Sequence, residues 1–145
     1  MGIDRKHIGS RTPPYTFEVE KGQLQFFAKA TGERNPIFFD EVAARRAGYR
    51  ALPAPPTFAF GMTFQSPRDL AALGVDMPRA LHGEQVFRHH AQIYAGDRIT
   101  LVGEITDIFE KKGGALEFVV ERTRATNQDG VLCVEMEVTT VIRHD

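Results

Sequence analysis

The sequence predicts an α+β protein in which an antiparallel sheet wraps around a central apolar helix, and three patterns lead there. Apolar residues recur at helical spacing in two short stretches before residue 50, and Thr57–Gln65 (TFAFGMTFQ) is apolar nearly all round. From Leu81 onward the period drops to two, as in strands with one buried face. Such a sheet needs a cover for its apolar face, and Thr57–Gln65 is the one segment long and apolar enough to supply it. Its two edges would invite pairing with a second copy, so a dimer is expected.

Each element has its own local cause. Tyr15–Glu20 alternates apolar and polar and reads as a short strand or packed arm. Leu24, Phe26, Phe27 and Ala30 predict a first helix of about ten residues, stopped at Gly32. After the loop Glu33–Phe39, Asp40 offers an N-cap, and Gly48 closes a second, shorter helix. Three prolines between Leu52 and Pro56 forbid regular helix until Pro56 itself can open the apolar helix. Ser66-Pro67 ends it, and residues 67–80 read as a surface loop with one helical turn at DLAAL. Beyond Leu81, Phe87, His89, Ala91 and Ile93 share one face of an extended segment, with Arg88, His90 and Gln92 on the other. Turns at Gly96-Asp97, Lys111–Gly114 and Asn127–Gly130 divide the rest into a meander of long strands.

Composition limits the partners. The 145 residues fit one domain, residues 1–145, led by a polar stretch 1–14. With 18 Lys and Arg against 19 Asp and Glu, no basic field exists to hold a nucleic-acid backbone. The single Cys133 excludes an intramolecular disulfide framework and a Cys-rich zinc site, and together with the absence of a secretory signal it points to the cytoplasm. No apolar run is long enough to span a membrane.

Two separated runs carry a family likeness. FAKATGERNPIFFDEVAARRAGYRALPAPPTFA and, downstream, LHGEQVFRHHAQIYAGDRITLVGEI resemble MaoC-like hydratases and dehydratases, and especially the FAS1-like dehydratase N-terminal domain, over about residues 15–142. The resemblance implies a hot-dog fold, a homodimer, a heterodimer with a related hot-dog chain or a double-domain assembly, and acyl thioesters of coenzyme A or acyl carrier protein as substrates; the histidine spacing implies no metal, and no cofactor is expected. It also implies reversible hydration of a trans-2-enoyl thioester to the (3R)-hydroxy thioester. That chemistry needs an acid and a base, and a donor for the thioester oxygen. In active members an Asp and a His framing Asn-Pro do the acid/base work. On this chain those positions fall on Glu33 and Phe38, around Asn35 and Pro36. Phe38 cannot move a proton. The resemblance therefore implies a substrate-binding half whose dyad comes from a partner chain.

Other residues complete the list of candidates. His82, beside Gly83 and Glu84, could join Glu33 as a rearranged acid/base pair in an active homodimer, or simply hydrogen-bond the end of the sheet. Glu33 also reads as a solvated charge or a capping acceptor, and Asn35 and Pro36 as loop-shaping residues. The start of the apolar helix at Pro56, Thr57 and Phe58 is where the resemblance places the thioester carbonyl, and Phe58, Phe60, Met62 and Phe64 would line an acyl tunnel or form plain core. Arg45, Arg46 and Arg50 could meet coenzyme A phosphates or form a solvated helix face. His89 and His90, being adjacent on a strand, should point to opposite sides, one buried and one exposed, which disfavours a joint metal site. A non-catalytic thioester-binding module and a thioesterase are the remaining functional alternatives.

Overall fold

The computed structural model describes residues 2–144. Among them five strands form one antiparallel sheet in the order β1-β3-β4-β5-β2: β1 Tyr15–Glu18, β2 Ala80–His89, β3 Arg98–Lys111, β4 Leu116–Thr126 and β5 Leu132–Arg143. The helices are α1 Lys21–Ala30, α2 Glu41–Arg46 and α3 Phe58–Met62. The predicted sheet wrapped on an apolar helix, the hot-dog arrangement, is the observed one, with β1 and β2 as the edges.

Local chemistry sets the boundaries. Glu20 and Gln23 form a reciprocal capping box at the start of α1. Asp40 accepts the Val42 N–H at 2.9 Å to begin α2. Gly32 and Gly48 follow the two helices with φ of 76° and 97°, a backbone that a side chain would strain. The inward face of β3 carries Ile99, Leu101 and Ile105, all fully buried, as the period of two requires.

The cover differs from the expectation in extent. Regular α3 spans five residues and passes into one 3-10 turn at Thr63–Gln65, because Ser66-Pro67 leaves no room for another α turn. Phe58, Ala59 and Met62 are buried, but Phe64 is 78% exposed, so the segment is apolar on its outer face as well. Leu24 of α1 and Ala44 of α2 share the same core cluster, so α3 is not the sole cover. In α1 it is Leu24 and Ala28 that are buried, while Phe26 is 75% exposed. Phe58 anchors the layer, with edge-on ring contacts to Phe17 at 6.0 Å and Phe27 at 5.5 Å.

A second apolar cluster joins Ile3, Val75, Ile105, Ile108, Val119 and Ile142. The polar leader and the 67–80 loop close it, the loop holding its helical turn at Ala71–Leu73. Gly9 N–H donates to Ile105 O, Thr12 N–H to Gly103 O and Ile105 N–H to Ser10 O, so the leader extends the pairing of β1 along β3. Between the clusters, buried Arg68 pairs with Glu121 and donates to Ser10 O at 2.9 Å and Gly103 O at 3.2 Å. A buried guanidinium is tolerated because each of these acceptors replaces water.

Candidate functional site: a cleft beside the central helix

The loop at the acid/base positions is committed to its own structure. Glu33 is half-buried, and its Oε1 accepts the N–H groups of Arg34 at 3.0 Å and Asn35 at 3.2 Å. Asn35 Oδ1 accepts Ile37 N–H at 3.2 Å and caps the 3-10 turn Pro36–Phe38, where Pro36 sits in the first turn. Gln25 Nε2 donates to Phe39 O at 2.9 Å and ties the loop to α1. Phe38 is half-buried and offers no titratable group. Glu33 thus makes the contacts of a capping acceptor, one of its sequence readings.

His82 lies on the edge strand β2, its ring edge-on to Phe60 of α3 at 5.1 Å. Gly83 is the site of a bulge, the register shifting between His82 and Glu84. A side chain at Gly83 would put its Cβ 2.5 Å from Val141 Cγ2 and 3.2 Å from Thr139 O, which explains the glycine. The shift also breaks the alternation that a His82/Glu84 pair would need. Among the described residues no hydrogen bond, ion pair or ring contact links Glu33 to His82.

What the fold does assemble is a cleft of about 290 Å³ lined by Ala54, Pro55, Pro56, Ala59 and the segment His89–Ile93. One wall is the proline segment that leads into α3. Ala54 N–H donates to Ile93 O at 2.8 Å and Ala95 N–H to Leu52 O at 2.9 Å, pinning it as a short ribbon. Gln92 Nε2 staples this ribbon by donating to Ala54 O at 3.2 Å and Ile93 O at 2.8 Å. The ribbon turns back at Gly96-Asp97, where Asp97 is fully shielded and accepts from Arg50 at 2.6 Å, Gln128 at 3.0 Å and Tyr94 N–H at 2.9 Å. Burial alone would raise the Asp97 carboxyl, but the bonds from Arg50, Gln128 and Tyr94 outweigh it and hold the group below the usual carboxylate range. Arg50, whose guanidinium also stacks 4.2 Å over the Tyr94 ring, is thus structural, and Arg45 is paired with Glu41 at 3.4 Å.

The facing wall overturns one expectation. β2 ends at His89, and the N–H groups of His90 and Ala91 both point to Cys133 O, at 2.8 and 3.1 Å. This kink cancels the strand alternation, so His89 and His90 are both exposed and line the same cleft. His89 stacks parallel to Phe87 at 5.8 Å, and His90 Nε2 meets Glu135 at 2.9 Å. That bond, with Arg124 nearby and against some desolvation, holds Glu135 below the ordinary range. Among the described residues no group of three His, Cys, Asp or Glu side chains could hold a metal ion, and no helix is long and apolar enough to cross a membrane.

Of the helix-start residues, Pro56 lines the cleft while Thr57 precedes α3 and Phe58 turns into the core. Phe58 N–H is already used by Pro55 O at 3.0 Å, so it is not available to a thioester oxygen. Sequence reasoning missed Gln92 and the shared orientation of the two histidines. A signal was present in HAQIYAGD, where Gly96-Asp97 requires the chain to leave the sheet beforehand.

A sheet curled around a short apolar helix with a cleft at the helix start defines a hot-dog protein. The sequence comparisons place it more narrowly: a family model described as the FAS1-like, dehydratase domain region matches residues 6–136, and the chain belongs to that family. It is 36% identical over 134 residues to a UPF0336 protein of Saccharopolyspora erythraea, covering 90% of this chain and 85% of the relative. The C-terminally truncated HadBC (3R-hydroxyacyl-ACP dehydratase) complex of Mycobacterium tuberculosis includes a chain with TM-score 0.82 and 32% identity, covering 93% of this chain and 96% of that one. A MaoC-like dehydratase superposes with TM-score 0.85 over 94% of this chain and 42% of its own length, at 24% identity, a likeness of fold.

Proposed function

We propose that this chain is the thioester-binding half of a (3R)-hydroxyacyl-thioester dehydratase, paired with a related hot-dog chain that carries the Asp and His of the proton-transfer dyad. The observation that carries this is the loop 33–39. Its only carboxylate, Glu33, accepts the amides of Arg34 and Asn35 through Oε1, and Phe38 stands where the resembled enzymes have histidine. A cleft beside α3, walled by prolines and two imidazoles, remains for the ligand. Likeness to a chain of a two-component hydroxyacyl-ACP dehydratase supports the divided assembly. The free edge strands β1 and β2 give a second hot-dog chain a place to pair.

In this arrangement the chain binds the thioester, orients it against α3 and keeps water from its acyl part. The partner's base removes the proton at C2, and its acid delivers a proton to the departing hydroxyl, so that a trans-2-enoyl thioester and water leave. The test is hydration of a crotonyl thioester by the purified chain, alone and with a hot-dog chain that retains Asp-x-Asn-Pro-x-His. Turnover is expected only from the mixture. Robust hydration by the lone chain overturns the division of labour.

A further inference from the structure

Gln85, in the Leu81–Gln85 motif, is an acceptor lacking a donor. Among the described residues its Oε1 is buried without a hydrogen-bond partner, while its Nε2 donates to Val86 O at 3.3 Å. The Val86 carbonyl assigns Oε1 and Nε2 in the resting amide, because the flipped assignment would set two oxygens against each other. A buried carbonyl oxygen keeps its desolvation cost until a donor meets it.

The position of Gln85 says which donor fits. It lies two residues from Phe87, and residues two apart share a strand face. Phe87 packs against the α3 core and stacks on His89, which lines the cleft. At the other end of the strand His82 touches Phe60 of α3. The inner side of β2 thus lies against α3 from the cleft end at His89 to His82, and Gln85 is about 13 Å from His89 along that face. Roughly ten bonds of an extended chain cover that distance, so a thioester with its pantetheine arm in the cleft brings its acyl carbons to Gln85. The acyl part of such a ligand carries one hydrogen-bond donor, the 3-hydroxyl. The 3.3 Å bond to Val86 O is long and Gln85 is only half-buried as a residue, so when a donor arrives the side chain can give up that bond and turn Oε1 toward this face.

We propose that Gln85 Oε1 accepts the hydrogen bond of the 3-hydroxyl group, so that Gln85 distinguishes a 3-hydroxyacyl thioester from its hydroxyl-free counterparts. This rests on the thioester-binding function proposed above. Calorimetric titration of the chain with (3R)-3-hydroxybutyryl-CoA and with butyryl-CoA tests it. The wild-type chain should prefer the hydroxy ligand about five- to tenfold, the value of one neutral hydrogen bond. Gln85→Met, close in shape but without the acceptor, should abolish the preference and leave butyryl-CoA affinity within about twofold. Equal loss of both ligands in Gln85→Met would mark a structural role and overturn the proposal, as would a preference that survives the substitution. Should Gln85→Met fail to fold, Gln85→Glu, which keeps an acceptor, must retain the preference, and its loss there overturns the proposal too. Equal binding of the two ligands by the wild-type chain removes only the role of Gln85, whereas binding of neither removes the thioester-binding function as well.

Discussion

The loop at residues 33–39 and the cleft at residues 54–59 and 89–93 flank the same central layer, yet their polar groups are used in opposite ways. In the loop, Glu33 and Asn35 turn inward on neighbouring amides two residues away at most. In the ribbon that walls the cleft, Gln92 and, at its turn, Asp97 hold together pieces of chain separated by 38 and 47 residues. Short-range bonds fix a turn, whereas long-range bonds fix a cavity. The loop and the cleft therefore depend on different residues.

The largest expected effect lies on the cleft side. Asp97→Ala removes the buried acceptor of Arg50, Gln128 and Tyr94 N–H and should lower stability by on the order of 3 kcal/mol in chemical denaturation, with loss of thioester binding. The same group predicts an acid transition. Its carboxyl titrates lower in the folded than in the unfolded chain, so its contribution is complete above the unfolded value near pH 4 and disappears as pH falls through the folded value. Unfolding curves between about pH 5 and pH 2 should show a stability loss in wild type that Asp97→Asn lacks.

Gly83→Ala comes next, at about 2 kcal/mol by thermal unfolding, because its Cβ would sit 2.5 Å from Val141 Cγ2 and force the β2 bulge apart. On the loop side, Asn35→Ala should cost about 1 kcal/mol through the lost cap of Pro36–Phe38, with thioester affinity unchanged. Glu33→Gln keeps an acceptor oxygen for the amides of Arg34 and Asn35, so stability should move by less than about 0.5 kcal/mol and turnover of the two-chain assembly should not change. A large loss of turnover with Glu33→Gln would erase the contrast between loop and cleft and return Glu33 to the chemistry.

Much of this was legible in the chain itself, because it depends on neighbours in sequence. The alternation of Ile99, Leu101 and Gly103, the caps at Asp40 and Asn35, and the turns at Gly96, Gly113 and Gly130 follow from side-chain period and backbone freedom. Tertiary structure alone decided the rest. Both imidazoles of His89 and His90 face one cleft because Cys133 O, on another strand, captures two successive amides and bends the chain out of register. The leader became a cover because Ile3 found the second apolar cluster, and Phe64 stayed outside because a five-residue helix cannot turn every apolar side chain inward. Local periodicity records which residues prefer burial; which of them are buried, and which polar groups meet across the gap, depends on partners that folding brings from distant parts of the chain.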